Sequence, residues 1–424
     1  MRILVIGGGG REHALVWKLA QSKRTTKLFC APGNAGIAEL AECVPVGVTE
    51  IDKLVDLVLD KKIDLTIVGP EVPLCAGVAD NFQSRGLRIF GPTKRAAQLE
   101  GSKVFAKKFL LKFGVPTAPA EIFDKADIAR KYVRKIGAPV VVKADGLAAG
   151  KGVIVAQSVA EAEKAVADML EQKVFGAAGA QVIVEECLHG EELSVMALVD
   201  GKSFQILASA QDHKRVWDGD RGPNTGGMGA YSPTPLLDKK LAEQVTDIFQ
   251  RTLAGLQAEG IEYHGVLYAG LMMTNRGPQV LEFNCRFGDP ETQAVLPRLE
   301  SDLVDVAEAT IDGTLERLSL KWSSDAAVCV VIAAGGYPGP IERGQPIAGL
   351  KDAARLDKVC VFHAGTRRDA TGQVVTDGGR VLGVTGLGAT VEQAIRRAYE
   401  AVERIHFDGA QFRRDIAARA LQKR

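Results

Sequence analysis

An α/β protein built from three units is expected here, and three observations predict it. Through the first hundred residues, buried strand segments alternate with segments of helical period. From about residue 122 to Asn284, short strands come in pairs. Beyond Ala326 a strand-rich stretch ends in one amphipathic helix. A chain of 424 residues is also too long for a single core, and length alone suggests two to three domains.

The first unit, residues 1–102, is read as an open parallel sheet. "RILVIG" is a buried strand, "EHALVWKLAQS" has helical spacing and "KLFCA" is a second strand. "IDKLVDLVLDKK" is a helix, followed by the strands "IDLTIVG" and "RIFG". Strand–helix alternation of this kind implies crossover helices over a parallel sheet. The central unit, 103–325, opens with short helices and a proline-punctuated exit near "GVPTAP". "APVVVKA" and "GVIVA" then flank "DGLAAGKG", and "AQVIVEE" and "ELSVMALVD" flank "CLHG". Paired short strands predict antiparallel sheets, with a smaller subdomain over about 122–188. The stretch "QDHKRVWDGDRGPNTGGMGAYSPTP" is too rich in Gly, Asp and Pro for a regular element and is expected to be a functional loop. A helix over 238–258 leads into the hairpin "GVLYAGLMMT"/"QVLEFNC" and a helical region from Asp289. Residues 326–424 form the third, strand-rich unit.

Composition removes several function classes. Lys+Arg 53 against Asp+Glu 52 gives a net charge of +1, so no electrostatic case exists for nucleic acid or an anionic membrane. The longest apolar run, Ala326 to Ala334, falls far short of a span of roughly 20 residues. Met1-Arg2 leads directly into a strand, without the apolar core of a signal peptide. Seven widely spaced cysteines with no CxxC pair read as reduced thiols in a cytoplasmic protein.

Two glycine loops invite nucleotide readings. "GGGGREH" (7–13) follows a strand and opens a helix, where backbone N–H groups favour an anion. A dinucleotide fingerprint fails, because Glu12 or His13 stands where the third glycine belongs and the second strand ends in "CAPGNAG", with no Asp or Glu to hold a ribose. One phosphate on Gly8, Gly9 and Gly10 fits better, and His13 is equally explained by packing. "DGLAAGKGV" (145–153) is not a P-loop: its lysine comes one residue early, Gly152 replaces Ser or Thr, and strands lie on both sides. A glycine hairpin beside Lys143 can still fold backbone N–H groups over phosphates as a flexible lid. The acidic bend "VEECLHGEEL" places backbone near Glu186–Leu188 for an adenine edge, and Glu191 or Glu192 for ribose hydroxyls.

"LEFNCRFGDPETQ" (281–293) carries the sharpest signal. Residues two apart on a strand share a face, so Glu282 and Asn284 point together. A carboxylate and an amide oxygen suit a hard divalent cation, which needs few protein ligands when phosphates complete its shell. Cys285 faces the opposite side as a core residue, and Arg286 can meet a phosphate or carboxylate bidentately. Asp289-Pro290-Glu291 is explained as well by helix capping as by chemistry.

Lysine on a strand, glycine lid, acidic hinge and a strand ending E-x-N together resemble the ATP-grasp superfamily. Within it, "GGGGREHAL", "PGNAG", "GPEVPL", "ADGLAAGKGV", "NTGGMGAYSP" and "RFGDPETQ" occur in the order seen in the phosphoribosylamine–glycine ligases, also called glycinamide ribonucleotide synthetases. The resemblance covers essentially the whole chain. It implies a central ATP-grasp fold with a mobile lid, and an ATP- and Mg2+- (or Mn2+-) dependent ligation of glycine to 5-phosphoribosylamine through glycyl phosphate. By that resemblance Lys103, Lys143, Gly150, Lys151, Gly152, Glu185, Glu186, Leu188 and Glu191 bind ATP, and Glu282 and Asn284 bind metal. Arg286, Lys143 and Asp212 serve the chemistry. Gly8, Gly9, Gly10, Glu12, Asn34, Glu71, Pro73, Asp212, Lys214, Gly226, Gly227 and Arg286 surround glycine and phosphoribosylamine. The expected assembly is a monomer or weak homodimer. One departure stands out: "GVLYAGLMMT" lacks the acidic metal ligand that many relatives carry on this strand. Alternatives from the same residues are another ATP-grasp carboxylate–amine ligase, an NAD-dependent oxidoreductase using the first unit, and a non-catalytic nucleotide sensor.

Overall fold

The computed structural model describes residues 1–147 and 152–422. The strands Glu42–Cys43, Lys27–Pro32, Arg2–Gly7, Leu65–Val68 and Ile89–Phe90 lie side by side in that order, all parallel. The chain leaves the central strand Arg2–Gly7 towards one neighbour and returns on its other side. Such a reversal opens a crevice at the carboxyl end of the strand, and the Gly7–Gly10 turn sits there.

Two antiparallel sheets follow. One orders Ala120–Phe123, Val182–Glu186, Val140–Ala144 and Val153–Ala156; the other orders Phe204–Ile206, Glu191–Asp200, His264–Thr274 and Gly277–Asn284. The first encloses a core of its own around Val133, Val140, Val142, Met169 and Val184. The second shares its interior with the parallel sheet: Leu4, Ile6 and Phe29 belong to one apolar cluster with Val195, Phe249 and Phe283. Ile3, Val5 and Leu15 likewise join Met196, Leu198 and Phe287. The N-terminal unit and this sheet are thus one packed body, while the smaller sheet is attached but separately cored.

The loop expected from "QDHKRVWDGDRGPNTGGMGAYSPTP" is more ordered than its composition suggests. Gln211–Asp212 and Gly229–Ser232 join the C-terminal strands Ala326–Ala333, Arg380–Gly388 and Val359–His363 in one sheet, and Arg215–Trp217 pairs with Arg221–Asn224. Strands of two to four residues show no readable period, so pattern alone could not find them. Among the described residues no helix is long and apolar enough to cross a membrane. The seven cysteines are free thiols.

Candidate active site

The hairpin of His264–Thr274 and Gly277–Asn284 sets Gly270 opposite Glu282 and Tyr268 opposite Asn284, so the two oxygen-bearing side chains share a face. That face borders a cleft and is not packed: the Glu282 side chain is 41% exposed. A Cβ added at Gly270 would lie 3.3 Å from Glu282 Cγ, so glycine leaves this carboxylate its room. Lys214 Nζ is 4.0 Å from Glu282 and 2.9 Å from Glu192. The surrounding cleft walls, by thinning its hydration, would raise the Glu282 carboxyl, but Lys214, Lys143, Lys103 and Arg286 outweigh this and hold it below the usual range. Four cations from four separate stretches of chain therefore converge on one carboxylate.

Arg286 is held in a cage. Its guanidinium donates to Glu71 at 3.3 Å, to Asn284 Oδ1 at 3.1 Å and to the Phe287 carbonyl at 3.2 Å, and pairs with Glu100 at 3.0 Å. Glu100 was not foreseen, because "QLEGSK" reads as ordinary helix. Its carboxylate also accepts the Cys285 N–H at 2.7 Å, and burial pushes it up even with Arg286 beside it.

Lys103 Nζ donates to the Gly146 carbonyl at 2.9 Å. Ser102, the N-cap of the Lys103–Lys112 helix, donates its hydroxyl to Asp145 at 2.7 Å, and Asp145 also accepts the Val104 N–H at 2.9 Å. The start of this helix is thereby tied to the base of the glycine hairpin. Lys143 Nζ pairs with Glu185 and donates to the Leu281 carbonyl at 3.0 Å. Gly152 accepts the Ala144 N–H at 2.8 Å, whereas Gly150 and Lys151 lie outside the described residues. Glu186 is exposed and accepts from Arg276 at 2.9 and 3.1 Å, while its own N–H is bound to the Pro119 carbonyl at 3.0 Å. Leu188 is buried at the bend.

A cavity of about 740 Å³ adjoins this cleft, lined among others by Glu191, Glu192, Asp212, Lys214, Met272 and Arg419. Asp212 is buried in the short strand Gln211–Asp212, and burial pushes its carboxyl up to about 8 despite Lys214, with Glu291, Glu192 and Glu282 adding to the rise. Gly226 is positioned from the C-terminal unit and Gly227 from the "DPE" turn. The Gly226 N–H donates to the Tyr337 hydroxyl at 3.0 Å, and its carbonyl accepts from Arg380 at 2.6 Å. A Cβ at Gly227, which has φ +111°, would fall 2.4 Å from Pro290.

The N-terminal turn differs from the simple picture of free N–H groups. Glu12 accepts the Gly9 N–H at 2.6 Å and pairs with Arg11 at 2.6 Å, so this helix start is already capped by its own carboxylate. Glu12 also fills the space above Gly69, where an added Cβ would come within 2.0 Å of it. The Asn34 amide donates to the carbonyls of Gly8 (2.9 Å) and His363 (2.8 Å) and accepts from Gly36 (3.0 Å) and Ile37 (2.9 Å). Asn34 thus spends its side chain shaping the loop. Pro73 is buried within the Glu71–Ala76 helix, and Gly10 abuts the Gln293 side chain. His13 packs against Phe362 and accepts the His363 N–H at 2.7 Å, and burial lowers it to about 3.

Capping does not explain "DPE". The helix begins at Glu291, with Pro290 in the cap position and no side-chain cap. Asp289 instead pairs with Arg380 at 3.3 Å and accepts from Gln293 at 2.8 Å, beside the N-terminal turn. Glu291 accepts the hydroxyls of Ser194 and Tyr268, each at 2.9 Å. Arg380 comes from the third unit and carried no signal in the sequence. Among the described residues no group of three or more His, Cys, Asp or Glu could hold a metal ion.

Family models for the phosphoribosylglycinamide synthetase N domain, ATP-grasp (A) domain and C domain match residues 1–100, 101–292 and 327–419. A phosphoribosylamine–glycine ligase of Caldanaerobacter subterraneus is 50% identical over 99% of this chain and 100% of its own. The chain belongs to the phosphoribosylamine–glycine ligase family. A crystal structure of the Thermotoga maritima ligase aligns at TM-score 0.87 with 36% identity, covering 98% of this chain and 100% of that one. A biotin carboxylase domain of 2-oxoglutarate carboxylase from Hydrogenobacter thermophilus, at 17% identity and TM-score 0.75 over 97% and 91%, shares the fold. The two antiparallel sheets facing the Glu282 cleft are the ATP-grasp of this ligase family, and a dinucleotide reading of the N-terminal unit falls away.

Proposed function

We propose that the cleft at Glu282 joins glycine to 5-phosphoribosylamine at the expense of ATP, giving glycinamide ribonucleotide, ADP and phosphate. The observation that carries this is the gathering of cations at one strand end: Lys214 lies 4.0 Å from Glu282, Lys143 donates to the adjoining Leu281 carbonyl at 3.0 Å, and Arg286 donates to Asn284 at 3.1 Å. A glycine carboxylate oxygen attacks the γ-phosphorus of ATP, and the bond to ADP breaks, giving glycyl phosphate. The amine of phosphoribosylamine then attacks the activated carbonyl, phosphate leaves, and the amine loses a proton. Phosphoryl transfer demands mainly position and charge neutralisation, which these cations supply. Glu282 and Asn284 present only oxygen donors, and one of them is an ionised, solvent-accessible carboxylate. They fit Mg2+ or Mn2+, which would neutralise phosphate charge there when bound. Arg286, already rigid in its cage, faces the transferring group; Glu71, Asn34 and the Gly8–Gly10 turn with Glu12 shape the site for the ribose phosphate.

Residues 1–102 then serve phosphoribosylamine, 103–325 serve ATP and glycine, and 326–424 close the site through Tyr337 and Arg380. The assembly we propose is a monomer or weak homodimer. Seven free thiols support a reducing, cytoplasmic setting.

The direct test is ADP release by the purified protein with ATP, Mg2+, phosphoribosylamine and glycine. Release should require glycine, and equal turnover with other small carboxylic acids would reassign the substrate. Lys143→Ala should raise the KM for ATP about tenfold or more, the size of one lost charge-assisted contact, and leave that for glycine nearly unchanged. Asp212 is the acid whose raised pKa suits it to take the amine's proton. A base acts when deprotonated, so the rate should climb as pH rises towards 8 and level off above it. Asp212→Asn should be slow and should lose that climb; an unchanged pH profile would remove Asp212 from proton transfer.

A further inference from the structure

Lys143 and Lys107 share one carboxylate. Glu185, on the strand Val182–Glu186, receives Lys143 on one oxygen and Lys107, from the helix Lys103–Lys112, at 2.8 Å on the other. All three side chains are withdrawn from water, with exposures of 3% for Glu185, 4% for Lys107 and 10% for Lys143. A pair would be neutral. This triad buries one positive charge more than its carboxylate can balance, which is costly unless an anion completes it.

The two lysines are held differently. An ammonium has three donors; Lys107 gives hydrogen bonds to the Thr117 hydroxyl at 2.7 Å and the Ala118 carbonyl at 3.1 Å, and forms an ion pair with Glu185 at 2.8 Å. Lys143 has two acceptors among the described residues, Glu185 and the Leu281 carbonyl at 3.0 Å, the residue before Glu282. Lys107 is therefore held by more partners than Lys143, which keeps one donor uncommitted among the described residues.

We propose that Lys107 is a positioning residue: it remains with Glu185 as a permanent counter-ion, so that Lys143 can be transferred to the ATP phosphates without leaving a bare buried carboxylate. The inference rests on the reading that Lys143 meets ATP. Without Lys107, withdrawal of Lys143 would leave Glu185 with no cation, and Glu185 would have to take up a proton each time ATP bound. The other groups around it do not replace the lost charge. Ala120 lies opposite Glu185 on the neighbouring strand, Cys187 lies just past the end of its own strand, and Glu282 acts on Lys143 from the facing sheet. In the intact triad both lysines together hold the Glu185 carboxyl below its ordinary range against the effect of burial.

The test is calorimetric binding of MgATP to the full chain between pH 7 and 8.5, in buffers of differing ionisation enthalpy and with Asp212→Asn in every protein compared, so that this acid does not titrate in the window. The parent protein should show little pH dependence and no proton uptake. Lys107→Met should bind more weakly at pH 8, take up about one proton on binding, and lose about tenfold in affinity per pH unit as pH rises. Adding Glu185→Gln to Lys107→Met removes the charge that needs a partner, so affinity should recover and the pH dependence vanish. A generally disturbed fold would give neither the slope nor the rescue. An affinity loss that is equal at every pH and unrelieved by Glu185→Gln, or no loss at all, overturns the proposal. Should Lys107→Met not fold, uptake of a proton by the parent protein would overturn it as well, since Glu185 would then discharge even with Lys107 present. Lys143→Met separates the two levels. If it leaves MgATP affinity unchanged, the phosphate reading fails and takes the proposal with it; if it weakens binding, the Lys107 outcomes decide alone.

Discussion

Glu282→Ala is expected to lower glycine-dependent ADP formation by at least roughly 10²-fold while the protein stays folded. The side chain is 41% exposed and points into the cleft, so its removal opens no cavity. What is lost is the anion on which Lys103, Lys143, Lys214 and Arg286 converge, together with the stronger of the two oxygen donors for a divalent cation. Unfolding midpoint and circular dichroism should match the parent protein, and the Mg2+ concentration giving half-maximal rate should rise in Glu282→Asp, which keeps the charge but retracts it. Parent-like turnover of Glu282→Ala at saturating Mg2+ would remove this residue from the chemistry.

Arg286→Met is expected to do something different: to abolish turnover and also to destabilise the fold by about 3–5 kcal/mol at pH 8, the cost of stranding buried carboxylates. Arg286 is the cation shared by Glu71 and Glu100, and Glu100 is already pushed up by burial with the guanidinium present. Removing it raises both acids: Glu100 moves further above its unfolded value, and Glu71 loses the cation that holds it below. The native state then binds more protons than the unfolded state, so stability falls as pH rises, and the deficit should be clearly smaller at pH 5 than at pH 8. Denaturant unfolding at the two pH values is the check. Full stability at pH 8 with lost activity would mean that the cage contributes nothing and that Arg286 acts on the substrate alone.

The two variants also mark where sequence reading succeeded and where it stopped. Glu282 and Asn284 could be paired from the alternation of one strand, because a period of two is a local property that survives any tertiary context. The parallel strands of the first unit, the glycine turn after the first of them and the antiparallel pairing around Lys143 were legible for the same reason. Each is dictated by apolar periodicity and by turn residues a few positions apart. Family motifs extended that reading along the chain, since they too are short and contiguous.

What the sequence by itself determined, then, were the elements, the face of each strand and the oxygen donors that suit a hard cation. Only the tertiary structure decided the partners. Glu100 lies 186 residues before Arg286 in sequence but 3.0 Å from it in space, and Arg380 reaches Asp289 from another sheet. Lys107 meets Glu185 across a helix and a strand, and Glu12 turns out to cap the very turn whose N–H groups looked free. The short strands Gln211–Asp212 and Gly229–Ser232 exist because the C-terminal sheet offers them an edge, not because their own residues favour extension. Charge pairing carries no sequence period: it depends on which surfaces the packed cores bring within a few ångströms, and in a low-dielectric interior that proximity sets both the ionisation and the role of every group in the cleft.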